Sequence, residues 1–125
     1  MIRDQGLWFW HVAAGIAILI LAGMHMGIMH LDATLGIGNP AGGHPIDWAN
    51  VVARGKSAAF LLSYVLLLGA ALFHGLYGLR NMLYEVVSGS GLRAAINVVL
   101  VLTGLVFFVV GTWAAVTGRA MALAS

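Results

Sequence analysis

Polar and apolar positions fall along this chain in long blocks. Residues 5–31, 57–79 and 94–118 contain no Asp, Glu, Lys or Arg, and each run exceeds the roughly 20 residues that cross ~30 Å of hydrocarbon as a helix. The blocks predict an all-α membrane protein with three transmembrane helices, over residues 6–31, 57–84 and 93–118, in one membrane domain spanning 1–125. Between the first two lies LDATLGIGNPAGGHPIDWANVVARGK, whose Gly, Asn and Pro residues break helical continuity around 36–45. Within it, WANVVARG has the pattern of a short amphipathic surface helix, with Asp47 as its N-cap. The second connection, EVVSGSG, is short, so the second and third helices are expected to be antiparallel neighbours.

Composition agrees with the blocks. Of 125 residues, 62% are hydrophobic and 8% charged, where soluble domains carry about 25% charged residues. The opening MIRDQG carries Asp beside its Arg, and the apolar run behind it is longer than a signal-peptide core, so it reads as a retained first helix. Trp8, Trp10, Trp48 and Trp113 suit interfacial belts. Arg3, Arg80 and Arg93 fall on one membrane side and Arg54, Lys56 and Arg119 on the other. Charge bias therefore does not orient the chain. No basic patch interleaved with aromatics suggests nucleic acid, and no glycine-rich phosphate loop follows a strand.

The candidate chemistry lies with histidine. His25 and His74 each sit inside an uncharged apolar run, and an intramembrane imidazole is a functional-site hypothesis by default. Neutral imidazole is a strong iron ligand; with no cysteine in the chain, iron–sulfur ligation and covalent haem attachment are excluded, and any haem is held by histidine. At 1.5 Å per residue, His25 lies about 27 Å from the N-terminal-side end of its helix and His74 about 8 Å from that same face. The two cannot share one iron, so two ligand histidines imply two haems, each with its second axial ligand supplied elsewhere. Ala70, Ala71 and Gly78 share the His74 face, and Ala22, Gly23 and Gly27 lie near His25; small residues admit a flat macrocycle, and they equally permit close helix packing. The alternative for both histidines is a hydrogen-bond network across the bundle. His30 reads as a hydrated polar residue or a neighbour of a propionate or quinone. His11, near the opposite interface, reads as an interfacial hydrogen-bonding group or a propionate contact, and His44 as a loop residue. Arg80 reads as a snorkelling cation within reach of a propionate.

The segment HGLYGLRNMLYE presents His-x3-Gly-x-Arg-x4-acidic through His74, Gly78, Arg80 and Glu85. It resembles the second-helix haem-ligand motif of succinate dehydrogenase and fumarate reductase membrane anchors, with Glu85 where the family often has Asp. LWFWHVAAGIAILILAGMHMGIMH is similar to a segment of di-haem fumarate reductase cytochrome b that carries a ligand histidine at the place of His25. His25 and His30 also match a His-x4-His of some three-helix anchors. The resemblance implies half of a haem-binding bundle, carrying b haem and a menaquinone or ubiquinone site. It further implies a non-catalytic electron-transfer and anchoring subunit attached to a flavoprotein and an iron–sulfur subunit, with a second anchor chain or symmetry copy. The expected setting is a bacterial or archaeal cytoplasmic membrane, with the N-terminus on the cytoplasmic side. Two departures stand against a full carry-over: Val12 follows His11 where many anchors have Arg, and Leu72 stands where the di-haem cytochrome has a membrane glutamate. The competing readings are a haem-free structural anchor and a di-haem cytochrome of another quinone-linked oxidoreductase.

Overall fold

In hydrocarbon a chain must satisfy its backbone hydrogen bonds internally, and apolar blocks do so as helices. The computed structural model describes residues 2–35 and 42–125, the side chains of 2–4 and 31–35 excepted. It contains α1 (Ile2–Leu35), α2 (Trp48–Gly55), α3 (Ala58–Val86) and α4 (Ser90–Ala124), with no strand among the described residues. Three of the four, α1, α3 and α4, are long and apolar enough to cross a membrane. They run past the expected ends: α1 reaches Leu35 and α4 extends to Ala124. Hydropathy marks where hydrocarbon ends, whereas a helix continues until its backbone is broken; 35 residues make about 52 Å of helix, well beyond the ~30 Å apolar layer. The break expected at 36–45 lies partly outside the described residues.

The connection before α2 is compact where it is described. Gly42 and Gly43 have φ of +72° and +76°, the left-handed region that glycine adopts freely. A Cβ on Gly43 would also stand 2.6 Å from Asp47 Oδ2. Asp47 holds the N-cap position of α2, but no helix N–H bonds its carboxylate; that oxygen accepts from the backbone N–H of His44 at 2.8 Å. Asn50 is fully buried and donates through Nδ2 to the carbonyls of Gly42 at 2.7 Å and His44 at 3.0 Å. Arg54 donates to the carbonyl of Pro45. The buried residues among those described are Pro45, Asn50, Arg54 and Ala122, all at this end of the molecule. At the other end Arg93 Nη2 donates to the Tyr84 carbonyl at 2.6 Å and Tyr84 Oη donates to the Arg93 carbonyl at 2.9 Å, which ties the short turn from α3 into α4.

Helix α3 is central, packing antiparallel to both α1 and α4, while α1 and α4 do not approach each other closely among the described residues. Small residues set both seams. Against α4, Cβ atoms on Gly111 and Gly104 would stand 2.5 Å from Leu68 Cδ2 and 2.8 Å from Leu76 Cδ1; on Gly69 of α3, one would stand 3.2 Å from Phe108. Helix α2 lies across the ends of α3 and α4, where a Cβ on Gly55 would meet Ala122 at 3.1 Å. The outer faces keep large apolar side chains exposed, among them Leu19, Leu66 and Val109, as a surface facing lipid or another membrane chain requires.

Candidate histidine site

The α1–α3 seam opposes position 11 to 78, 15 to 74 and 25 to 64. A Cβ on Gly15 would stand 3.0 Å from His74 Cε1, and one on Gly78 would stand 3.6 Å from His11 Cε1. Each histidine therefore packs over the glycine four residues beyond the other. The two imidazoles stack, with centroids 4.1 Å apart and planes 6° from parallel. His74 Nδ1 lies 3.0 Å from the carbonyl oxygen of His11. A carbonyl only accepts, so Nδ1 carries the proton, and in the neutral ring Nε2 keeps its lone pair. His11 Nδ1 is buried without a hydrogen-bond partner. Tyr77 flanks the pair, its ring centroid 5.0 Å from that of His11.

His25 stands elsewhere, edge-on to Tyr64 with ring centroids 6.0 Å apart, ten residues or about 15 Å along α3 from His74. It lines a cavity of about 180 Å³ with Met24, Ser63 and Tyr64, smaller than the ~300–1,000 Å³ of most ligand sites. Neither His30 nor His44 is brought to either place: both are exposed, and His44 belongs to the turn before α2. Arg80 lies over the rings of Tyr84 and Tyr77, 4.5 and 5.7 Å from their centroids, and donates to Asn81 Oδ1 at 3.3 Å. Its Nε is buried without a partner. Of the small residues expected around His74, Gly78 lies under His11, Ala71 is exposed, and Ala70 lines a shallow groove of about 420 Å³ with Trp10, Ala13, Ala14, Ala17 and Phe73.

The donor chemistry of His74 fits haem iron. A ring nitrogen bonded to a backbone carbonyl fixes the tautomer and orientation of a metal-binding histidine and raises the basicity of the other nitrogen. The 4.1 Å imidazole stack leaves no room for a macrocycle between α1 and α3, so a haem on His74 would occupy an outer face beside the seam. No group of three or more His, Cys, Asp or Glu side chains able to hold a bare metal ion occurs among the described residues.

Sequence reasoning did not pair His11 with His74. The signal was present twice, because HVAAG and HGLYG are both His-x3-Gly. In antiparallel helices with both motifs close to the same membrane face, each histidine can meet the other's glycine.

Compared with family models, with curated proteins and with solved structures, the chain gives no match. The fold defines a three-helix membrane-spanning protein with a short helix across one end.

Proposed function

We propose that the chain is a cytochrome b membrane-anchor subunit of a succinate:quinone oxidoreductase, passing electrons between an iron–sulfur subunit and membrane quinone. The observation that carries this reading is the His74 Nδ1 bond to the His11 carbonyl, which prepares Nε2 as a ligand within the motif that resembles the anchor family. In this reading His74 and His25 would each hold one b haem through a ring nitrogen, at different depths, proximal and distal to the soluble subunits. A second anchor chain or symmetry copy would supply the remaining ligands and the outer walls. Bound haem supplies one-electron transfer. The bond from His74 Nδ1 to the His11 carbonyl fixes the ring and leaves the lone pair on Nε2, which would be the nitrogen that holds the group. Arg80, His11 and His30 are the candidate polar neighbours of haem or quinone.

The haem-free structural anchor has an observation of its own: the reciprocal His–Gly contacts pin α1 to α3 with nothing between them. An optical spectrum and pyridine haemochrome assay of the complex purified from membranes separates the two. Two b haems per complex are expected; none would leave the structural anchor, and one would remove His25 as a ligand. Copurification of a flavin-bearing subunit separates this assignment from a di-haem cytochrome of another dehydrogenase.

A further inference from the structure

Helix α2 presents two unlike sides. Trp48, Val51, Val52 and Gly55 recur at helical spacing along one, while Asn50 and Arg54 lie on the other. An interfacial helix ordinarily turns its polar side to water. Here the chain itself covers that side: Asn50 is 0% exposed and Arg54 5%, Asn50 Nδ2 donating to the carbonyls of Gly42 and His44 and Arg54 to that of Pro45. The apolar side is the open one. Trp48 is 78% exposed and Val51 41%, and Ile46, just before the helix, is 78% exposed.

The depth of this segment follows from its neighbours. A Cβ on Gly55 would meet Ala122 at 3.1 Å, and Ala122 stands only about 4.5 Å of helix beyond Arg119, the first charged residue after the uncharged run 94–118. Trp48 and Val51 border one cavity with Met29, Phe60 and Met121, and Met29 and Phe60 themselves belong to uncharged runs. Helix α2 therefore lies at the edge of hydrocarbon, in the band where interfacial helices bury an apolar face ~5–10 Å deep. Irregular backbone enters such a layer only where the protein meets its polar groups, and Asn50 and Arg54 meet the carbonyls of Gly42, His44 and Pro45. We propose that residues 42–55 are seated in the bilayer interface, with lipid acyl chains covering Ile46, Trp48 and Val51. The apolar surface is continuous with that of a spanning helix, since Met121 at the same cavity and Val116 of α4 are exposed as well. Asp47 and Lys56, both exposed, flank the helix and hold it at headgroup level. The seating does not depend on haem binding.

Because the chain has no cysteine, nitroxide labels can be placed singly through Ile46→Cys and Trp48→Cys, with Val109→Cys and Lys56→Cys as references for lipid and water. In the full chain, reconstituted in bilayers of phosphatidylcholine and phosphatidylglycerol, each label reports its collisions with oxygen, which concentrates in lipid, and with a nickel chelate that stays in water. The oxygen-to-nickel ratio at 46 and 48 is expected to be several-fold above that at 56 and to approach that at 109. A ratio equal to that at 56 overturns the proposal. A second measurement separates lipid from protein as the cover. In membranes of cells producing the full chain beside its native partners, Trp48→p-benzoylphenylalanine should give a phospholipid acyl adduct on illumination. An adduct to a partner subunit or to a second copy, or no acyl adduct, overturns it. If changes at 48 prevent folding, position 46, which lies outside the helix, decides in both assays.

Discussion

Leu68 of α3 occupies the volume that a side chain at position 111 of α4 would need, since a Cβ there would stand 2.5 Å from Leu68 Cδ2. Gly111→Ala should therefore destabilise the helix pair by about 1–3 kcal/mol, the usual range for an overpacked contact. Leu68→Ala in the same chain should recover part of that loss, because the second change removes the atoms struck by the first. Thermal unfolding in detergent of the two single variants and the double variant measures the coupling; strict additivity would deny that the residues share this space.

The same reasoning separates two glycines of α1. Gly15→Ala places a methyl 3.0 Å from the His74 ring, whereas a Cβ on Gly23 meets nothing within 4 Å. Gly15→Ala should lower stability and disturb any spectral signal that depends on His74. Gly23→Ala should be neutral or slightly stabilising through helix propensity. Equal effects at the two sites would show that the seam is looser than these contacts require.

On the haem-bearing reading, His74→Ala should abolish one low-spin haem signal and leave the signal assigned to His25, since the ligands act at separate irons. Quinone-linked turnover should fall much more than activity measured with an artificial acceptor at the soluble subunits. His11→Ala should retain the signal, because His74 bonds the backbone carbonyl of residue 11 and that group survives the substitution. Retention of both haem signals and of quinone turnover in His74→Ala would remove the ligand assignment.

Asn50→Ala removes a fully buried side chain whose Nδ2 donates to the carbonyls of Gly42 and His44 and leaves those carbonyls without it. A cost of about 1–3 kcal/mol follows from desolvated groups left unpaired. Limited proteolysis should register it as faster cleavage before α2, with the three long helices intact. Unchanged cleavage would show that the turn is held by other contacts.

The helix count, the short helix before α3 and the antiparallel pairing of α3 with α4 were legible in the sequence, because hydrocarbon leaves an uncharged run of more than 20 residues few other structures. Helix ends were less so: hydropathy changes sign at the membrane boundary, while the backbone of α4 carries on past Arg119 to Ala124. Asp47 was placed correctly at the head of α2, yet its carboxylate turns back to His44, since a short acidic side chain can serve either the helix or the preceding turn. The meeting of His11 with His74 was within reach of depth arithmetic. Its rotation about the helix axis, which puts both rings on one seam, depends on the glycines across the interface and is invisible in either helix alone.

Reciprocity between the two His-x3-Gly segments also bears on how α1 finds its place along α3. A slip of one helical turn, about 5.4 Å, would carry both imidazoles off both glycines together, facing position 74 with Leu19 or with His11 itself. No near-miss alignment keeps half of the fit, so the pair works as a vernier mark: two coincidences satisfied at one setting and spoiled at every neighbouring one.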